Sequence, residues 1–136
     1  MWNNCGALKA TKLQKLQNRS ARILTYSDYD AEVEPLFQQL NWTQLARHRE
    51  VHTVNMVYKC THGLAPDYLQ DRFVSRVSNY FLRDSSNKFD VPLTRTNYVK
   101  NSFRYSGAVL WKGLPPTLRQ AESIHIFKSG GKEFFK

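Results

Sequence analysis

The segment that most constrains the fold lies at residues 107 to 119 and reads GAVLWKGLPPTLR. Its apolar run, VLW at 109–111, is predicted to fill a core, because burying so large an aromatic side chain stabilises a small domain by several kcal/mol. The small pair at 107–108 would let two backbones pack closely. The paired prolines at 115–116 predict the end of this element and a short turn or helix that starts at Thr117.

Composition predicts a folded, basic domain. The chain has 136 residues, of which 41% are hydrophobic, and this length fits one domain over 1–136, with two small lobes as the alternative. Twenty Lys and Arg against eleven Asp and Glu give a formal net charge of +9. An excess of this size favours polyanionic partners, with nucleic acid first and an anionic membrane second, although an inert basic surface is also compatible with it.

The remaining bulk features predict an intracellular, cytoplasmic or nuclear protein. The cysteines, Cys5 and Cys60, are too few for a disulfide framework. Residues 1–4 lack the basic start and the apolar core of a signal peptide. No apolar run approaches the roughly 20 residues of a membrane span, so we expect no membrane partner.

The most uniformly basic segment spans residues 8 to 24 and reads LKATKLQKLQNRSARIL. Apolar residues at helical spacing predict an inward face made of Leu8, Leu13, Leu16, Ala21, Ile23 and Leu24. Bases spaced by three or four predict a second face made of Lys9, Lys12, Lys15, Arg19 and Arg22. No acid occurs among the first 27 residues, so these charges repel one another unless a polyanion such as RNA or DNA faces them. The alternative is the solvated face of a packed helix.

Local signals predict a series of helices joined by short connections. Ser27 or Asp28 could cap a helix that starts near residue 31, and Pro35 would lie in a first turn. Thr43 could cap a helix over 44–61 that stops at Gly63, and Pro66 would start a short helix. Ser123 could cap a last helix, which breaks or ends near Gly130 and Gly131.

The expected fold is therefore mainly α, a small helical domain with a minor mixed or irregular segment around 80–110. Residues 1–80 form its helical part, and residues 81–136 form a mixed part that ends in a helix. The irregular segment allows short strands, although Pro92 limits any strand there to a sheet edge.

A second basic region lies between residues 72 and 119, where the only acids are Asp84 and Asp90. Aromatic residues alternate with its bases: Tyr80, Phe81, Phe89, Tyr98, Phe103, Tyr105 and Trp111. This combination predicts phosphate contacts by Arg95, Lys100 and Arg104 together with sequence-tolerant stacking on bases. Alternatively, the aromatic residues form the core and the bases its rim.

Catalytic and metal-binding patterns are weak. The only ligand-like group contains His48, His52, Cys60 and His62, but Cys60 lies about 12 Å from His52 by helix rise, so no zinc site is expected. The YSDYD stretch at 26–30 resembles a polymerase metal motif, which would need two apolar strands around it; the predicted flanks are helices. We therefore predict no catalytic residues, no metal and no cofactor.

Several short segments occur in the order typical of one family. They are LQKLQNRSARIL (13–24), LNWTQLARHR (40–49), MVYKCTHGLAPDYL (56–69), VPLTRT (91–96), SFRYSGAVLWKGLP (102–115) and FK (127–128). Together they resemble the C-terminal tail of the second open-reading-frame protein of non-LTR (LINE-type), jockey-like retrotransposons, over nearly the whole chain. The chain departs from the family pattern at Lys112-Gly113. The family tail usually reads LWN before its LP, and here these two residues stand between Trp111 and Leu114.

The resemblance implies that a reverse transcriptase and an endonuclease belong upstream of this segment, and that Met1 is an internal start. It offers no catalytic residue to this chain. The expected function is a non-catalytic, basic nucleic-acid-binding or accessory tail fragment that holds RNA or DNA through Lys9, Lys12, Lys15, Arg19, Arg22, Arg95, Lys100 and Arg104. The alternatives are an interaction domain that packs on the upstream reverse transcriptase region and a genomic remnant without function.

Overall fold

The computed structural model describes residues 6–73, 89 and 91–135. These residues form the helices α1 (Ala7–Leu24), α2 (Val33–Gln39), α3 (Leu45–Thr61), α4 (Asp67–Gln70), α5 (Asn97–Lys100), α6 (Phe103–Gly113), α7 (Pro116–Arg119) and α8 (Ile124–Phe134). None of the described residues lies in a β-strand, which confirms the mainly α fold. Two compact units divide the chain, Met1–Arg49 and Glu50–Lys136, with the boundary inside α3.

The first unit has a small core between α1 and α2. Ala21, Leu36 and Phe37 are buried in it, and the rings of Phe37 and Trp42 meet edge to face at 6.1 Å. Pro35 lies in the first turn of α2, as expected. The cap position is Glu32, without a side-chain cap bond, so the expectation of a Ser27 or Asp28 cap is wrong.

The inward apolar face expected for α1 is largely wrong. Leu8, Leu16 and Ile23 are 83%, 60% and 64% exposed, and only Ala21 is fully buried. The inner face instead carries amides: Gln14 accepts from the backbone N–H of Leu45 at 3.1 Å, and Gln17 donates to the carbonyl of Thr43 at 2.9 Å. The first N–H group of α3 is therefore paired with Gln14 of α1, and not with the side chain of Thr43 that the sequence predicted as the cap.

The end of α3 follows its local signals. Gly63 has a φ of +67°, which glycine adopts without steric cost, and the N–H of Leu64 donates to the carbonyl of Lys59 at 2.8 Å. This pattern ends the helix as expected. Pro66 then precedes α4, and its carbonyl accepts from the N–H of Leu69 at 2.9 Å.

The core of the second unit is built around Trp111, which is 1% exposed. Its ring lies 5.6 Å from that of Phe89 and 5.7 Å from that of Phe127. Gly107 allows the close approach that the sequence indicated, since a Cβ there would lie 2.8 Å from Cγ2 of Val57. Val109, in contrast, is exposed, because two residues along a helix turn it about 200° from Trp111.

Helices occupy much of the segment that allowed short strands. Within residues 91–110, the chain is irregular to Thr96 and then forms α5 and the start of α6. Ser102 caps α6 by accepting from the N–H of Tyr105 at 3.4 Å. Positions 80–88 and 90 of that segment lie outside the described residues.

Among the described helices, none is long and apolar enough to cross a bilayer.

The last two helices begin at proline and serine signals. Pro116 is the first residue of α7, one position before the expected start. Ser123 caps α8 by accepting from the N–H of Ile126 at 3.4 Å, as expected. The expected break near Gly130 and Gly131 is wrong, because α8 continues to Phe134. Gly130 instead makes room for a neighbour, since a Cβ there would overlap Cδ2 of Leu118.

Candidate nucleic-acid interface

The bases of α1 lie on the outer side of the first unit. Lys9, Lys12, Lys15 and Arg19 are exposed, as the sequence analysis expected of a second face. Arg22 is half-buried, and its Nε donates to the carbonyl of Ala31 at 3.0 Å. Four of the basic residues predicted on this helix therefore project into solvent, whereas Arg22 forms a hydrogen bond to the segment between α1 and α2.

The outer face of α1 also carries apolar side chains. At about 100° per residue, Leu8, Leu16 and Ile23 fall on the same side as the lysines and opposite the buried Ala21. All three are exposed. Sequence reasoning assigned these residues to the core, because their spacing alone does not say which face of a helix meets another helix. The outer face of α1 is consequently both basic and apolar.

The electrostatic arrangement of α1 is unfavourable without an anion. Its first turn contains no acid, and Lys9 lies in that turn, where the helix dipole already presents positive charge. Lysines at positions 9, 12 and 15 follow at intervals of three, which costs a few tenths of a kcal/mol per pair. The acids nearest in sequence follow the helix at 28, 30, 32 and 34, and all four are exposed. The amino-terminal half of α1 thus favours an anionic partner.

A second basic patch lies in the other unit, around α5 and the first turn of α6. Arg95, Lys100 and Arg104 are all exposed there. No acid occurs between residues 91 and 121. The structure therefore places the three bases predicted in this region on the surface, within a stretch of chain that holds no compensating carboxylate.

The aromatic residues of the basic region divide into core and surface. Phe89 and Trp111 are buried, so neither ring is available for stacking on nucleobases. The burial of Trp111 confirms its predicted place in the core, and Phe89 follows the alternative in which the aromatic residues form the core. Phe103 is half-buried and meets Phe73 edge to face at 5.3 Å. Tyr98 is 85% exposed. Tyr105 is half-buried, whereas Tyr80 and Phe81 lie outside the described residues.

The histidine and cysteine group does not form a ligand cluster. His62 stacks on Tyr58 with ring centroids 3.9 Å apart, and its Nδ1 lies 2.9 Å from the carbonyl oxygen of Tyr58. Burial raises the pKa of the Cys60 thiol, which keeps it protonated and a poor nucleophile or ligand. Within the described ranges, no three His, Cys, Asp or Glu side chains are grouped to hold a metal ion. The YSDYD stretch lies between α1 and α2, without flanking strands.

A cavity of about 790 Å³ opens in the second unit, and no motif in the sequence predicted it. Its polar lining includes Asp71, Gln120 and Glu122, and its apolar lining includes Phe73 and Trp111. Arg119, also in the lining, is buried and donates from Nε to the carbonyl of Leu114 at 3.1 Å. Thr61 and His62 also line the cavity, and the Thr61 hydroxyl lies 3.0 Å from Nδ1 of His62, but both atoms also lie within hydrogen-bond distance of the Tyr58 carbonyl oxygen at the end of α3, at 2.8 and 2.9 Å. This pair therefore completes the helix end, and the two basic patches remain the stronger candidate sites.

Comparisons with protein-family models, with curated proteins and with solved structures found no match to this chain. The retrotransposon resemblance therefore depends on the order of the sequence motifs alone.

Proposed function

We propose that this chain is a non-catalytic, basic nucleic-acid-binding module, with its origin in the tail of a retrotransposon reverse transcriptase protein. One observation carries the proposal: Lys9, Lys12, Lys15 and Arg19 project from one side of a helix that contains no acid. Such an arrangement suits a phosphate backbone, because each base can replace a counterion condensed on the strand. Arg95, Lys100 and Arg104 supply a second set of phosphate contacts.

The length of the basic stripe fits several phosphates. From Lys9 to Arg19 the helix rises about 15 Å, at about 1.5 Å per residue. A strand that advances about 3.4 Å per nucleotide places roughly four phosphates along that distance. The four exposed bases of α1 can therefore contact one strand without any bend in the helix. Contacts of this kind position a nucleic acid and do not read its sequence.

The salt dependence of binding tests this proposal. The full chain is titrated with a labelled single-stranded RNA, and separately with DNA, from about 50 mM to about 300 mM salt. Each phosphate contact with a single strand contributes about −0.7 to the slope of log K against log salt, so the four contacts of α1 alone predict a slope of about −3 and both sets together predict about −5. An affinity that does not change with salt, or no binding at the lowest salt, would overturn the proposal.

A matched pair of variants separates local contact from overall charge. Lys12→Gln with Lys15→Gln removes two charges from α1, whereas Lys128→Gln with Lys132→Gln removes two exposed charges from α8. We expect the α1 pair to make the salt slope shallower by about 1.4 and the α8 pair to leave it nearly unchanged. Equal losses in both variants would mean that only net charge matters.

The exposed leucine and isoleucine residues of α1 favour a second function, that of an interaction module. Leu8, Leu16 and Ile23 have no role in phosphate binding, yet they are exposed on the same helix face. In the parent polyprotein this face would pack on the upstream reverse transcriptase region, with the bases at its rim. Leu16→Ser with Ile23→Ser would then abolish co-purification with that region while RNA affinity stays unchanged. Unchanged co-purification would exclude this second function.

A further inference from the structure

Exposed tyrosines occur in two kinds of electrostatic environment. Tyr29 lies between Asp28 and Asp30, and Tyr68 directly follows Asp67. Phosphates are repelled from such neighbours. Tyr98 has Arg95 three residues before it and Lys100 two residues after it, and both bases are exposed. Of these three tyrosines, Tyr98 alone has a basic environment in sequence.

A short connection joins the helix of Tyr98 to the helix that carries a third exposed basic residue, Arg104. Tyr98 lies on α5, which contacts α6. The N–H of Ser102 donates to the carbonyl of Val99 at 3.0 Å, and Ser102 in turn caps α6. This short connection fixes the direction of the chain from Tyr98 to Arg104, which is exposed in the first turn of α6.

Packing within the unit does not explain the position of the Tyr98 ring. The ring is 85% exposed, and within the described part of the chain no hydrogen bond or ring contact holds it. An aromatic side chain normally contributes to stability by losing contact with water, and Tyr98 gains little in this way. Surfaces that bind single-stranded nucleic acid use such an exposed aromatic ring, surrounded by lysine and arginine side chains, to stack on nucleobases.

We infer that Tyr98 stacks on an unpaired base while Arg95, Lys100 and Arg104 hold the adjacent phosphates. The inference depends on the proposed function and adds the class of ligand, which is single-stranded RNA or DNA. In a duplex, each base is already stacked on its neighbours and only its edges are accessible in the grooves. A tyrosine ring on a short surface helix therefore meets a base face only where the strand is unpaired.

The experiment measures affinity for a short single strand that contains 2-aminopurine and for the corresponding duplex. Tyr98→Leu removes the ring and keeps an apolar side chain, and Tyr98→Phe keeps the ring and removes the hydroxyl. Tyr68→Leu is the matched control, since Tyr68 is also exposed in the same unit. RNA and DNA strands are tested separately. Circular dichroism and thermal unfolding check that each variant is folded.

We expect Tyr98→Leu to weaken binding of the single strand about fivefold or more, in the range seen when a stacking aromatic is removed. The slope of log K against log salt should stay the same, because no phosphate contact is lost. The wild-type chain and Tyr98→Phe should quench 2-aminopurine fluorescence, whereas Tyr98→Leu should not. Tyr68→Leu should bind like the wild type, and duplex affinity should not change in any variant.

Two outcomes separate this inference from the proposed function. If the wild type binds with a steep salt dependence and Tyr98→Leu binds equally well, the stacking inference is wrong and the proposed function stands. The same holds if Tyr98→Leu weakens single strand and duplex equally, or if Tyr98→Phe loses as much affinity as Tyr98→Leu. If the wild type binds neither nucleic acid, the proposed function itself is overturned.

Discussion

The side-chain oxygen of Gln14 accepts a hydrogen bond from the backbone N–H of Leu45 at 3.1 Å, across 31 positions of sequence. The N–H groups of a first helical turn have no partner inside their own helix, so Gln14 satisfies one of the unpaired donors of α3. Nearby, Gln17 donates to the carbonyl of Thr43. Hydrogen bonds of the side-chain amides of Gln14 and Gln17 therefore occupy the side of α1 where the sequence pattern predicted leucines.

This connection predicts that Gln14→Ala destabilises the first unit by about 1 kcal/mol, the usual effect of losing a helix cap. Hydrogen exchange at the Leu45 amide should become faster. Gln39→Ala is the control, because Gln39 is an exposed glutamine at the end of α2. Equal exchange at Leu45 in the wild type and in Gln14→Ala would contradict the role assigned to Gln14.

The buried Trp111 predicts a large effect on stability. Trp111→Ala should lower the free energy of unfolding by about 3 to 5 kcal/mol, because it leaves Phe89 and Phe127 beside an empty volume. Val109→Ala, on the exposed side of the same helix, should cost less than about 0.5 kcal/mol. Urea unfolding monitored by circular dichroism measures both. A Trp111→Ala chain that stays folded but loses RNA affinity would show that the indole belongs to a binding surface.

Glycine substitutions in α6 and α8 are expected to act in opposite directions. Gly107→Ala places a Cβ 2.8 Å from Val57 and 3.1 Å from Phe73, so it should destabilise the second unit by about 1 to 3 kcal/mol. A Cβ at Gly131 meets no atom within 4 Å, and alanine favours the helix by about 0.8 to 1 kcal/mol over glycine. Thermal unfolding should show a lower Tm for Gly107→Ala and a higher Tm for Gly131→Ala. A lower Tm in both variants would contradict the open space at Gly131.

The alkaline stability of the second unit depends on Cys60 and Tyr58. Burial raises the pKa of both side chains, so the native state holds these protons more tightly than the unfolded state does. Stability is then highest below the unfolded-state pKa values and falls as the pH rises above about 8.5. In a Cys5→Ser background, Cys60→Ala should reduce this decline. An identical decline with and without the Cys60 thiol would show that the thiol does not contribute.

Thiol reactivity provides an independent measurement on the same residue. In the Cys5→Ser background, the native Cys60 thiol should react with iodoacetamide more slowly than the thiol of the chain unfolded in urea, because the protonated, buried form is not nucleophilic. Equal reaction rates in the native and unfolded states would mean that Cys60 is accessible and ionised.

Three helix ends were predictable from local signals. Gly63, Pro66 and Ser123 act through the backbone geometry of their own turns, and the structure confirms all three. Other features depend on contacts far apart in sequence. Gly130 of α8 faces Leu118 of another helix, which leaves no room for a side chain. The sequence of α8 does not reveal this neighbour, so the glycine alone suggested a break in the helix.

The candidate site was predictable in its charges, whereas among its aromatic residues the apolar run around Trp111 alone indicated burial. Lysine and arginine side chains reach water from almost any helix position, so Lys12 or Arg104 could be expected on the surface from the sequence alone. Whether an aromatic ring is buried depends on which neighbours the fold brings to it. Trp111 and Tyr98 both lie in the same basic region, yet one is 1% and the other 85% exposed.

The hydrogen bond from the hydroxyl of Tyr58 to the carbonyl of Ala121 spans 63 positions, and Phe127 stacks on the same tyrosine at 4.4 Å. During synthesis, α3 therefore leaves the ribosome long before the residues that cover its inner face. Until α8 emerges, Tyr58 and Trp111 stay exposed to water and to other nascent chains. We expect the nascent second unit to bind chaperones until Phe127 clears the exit tunnel.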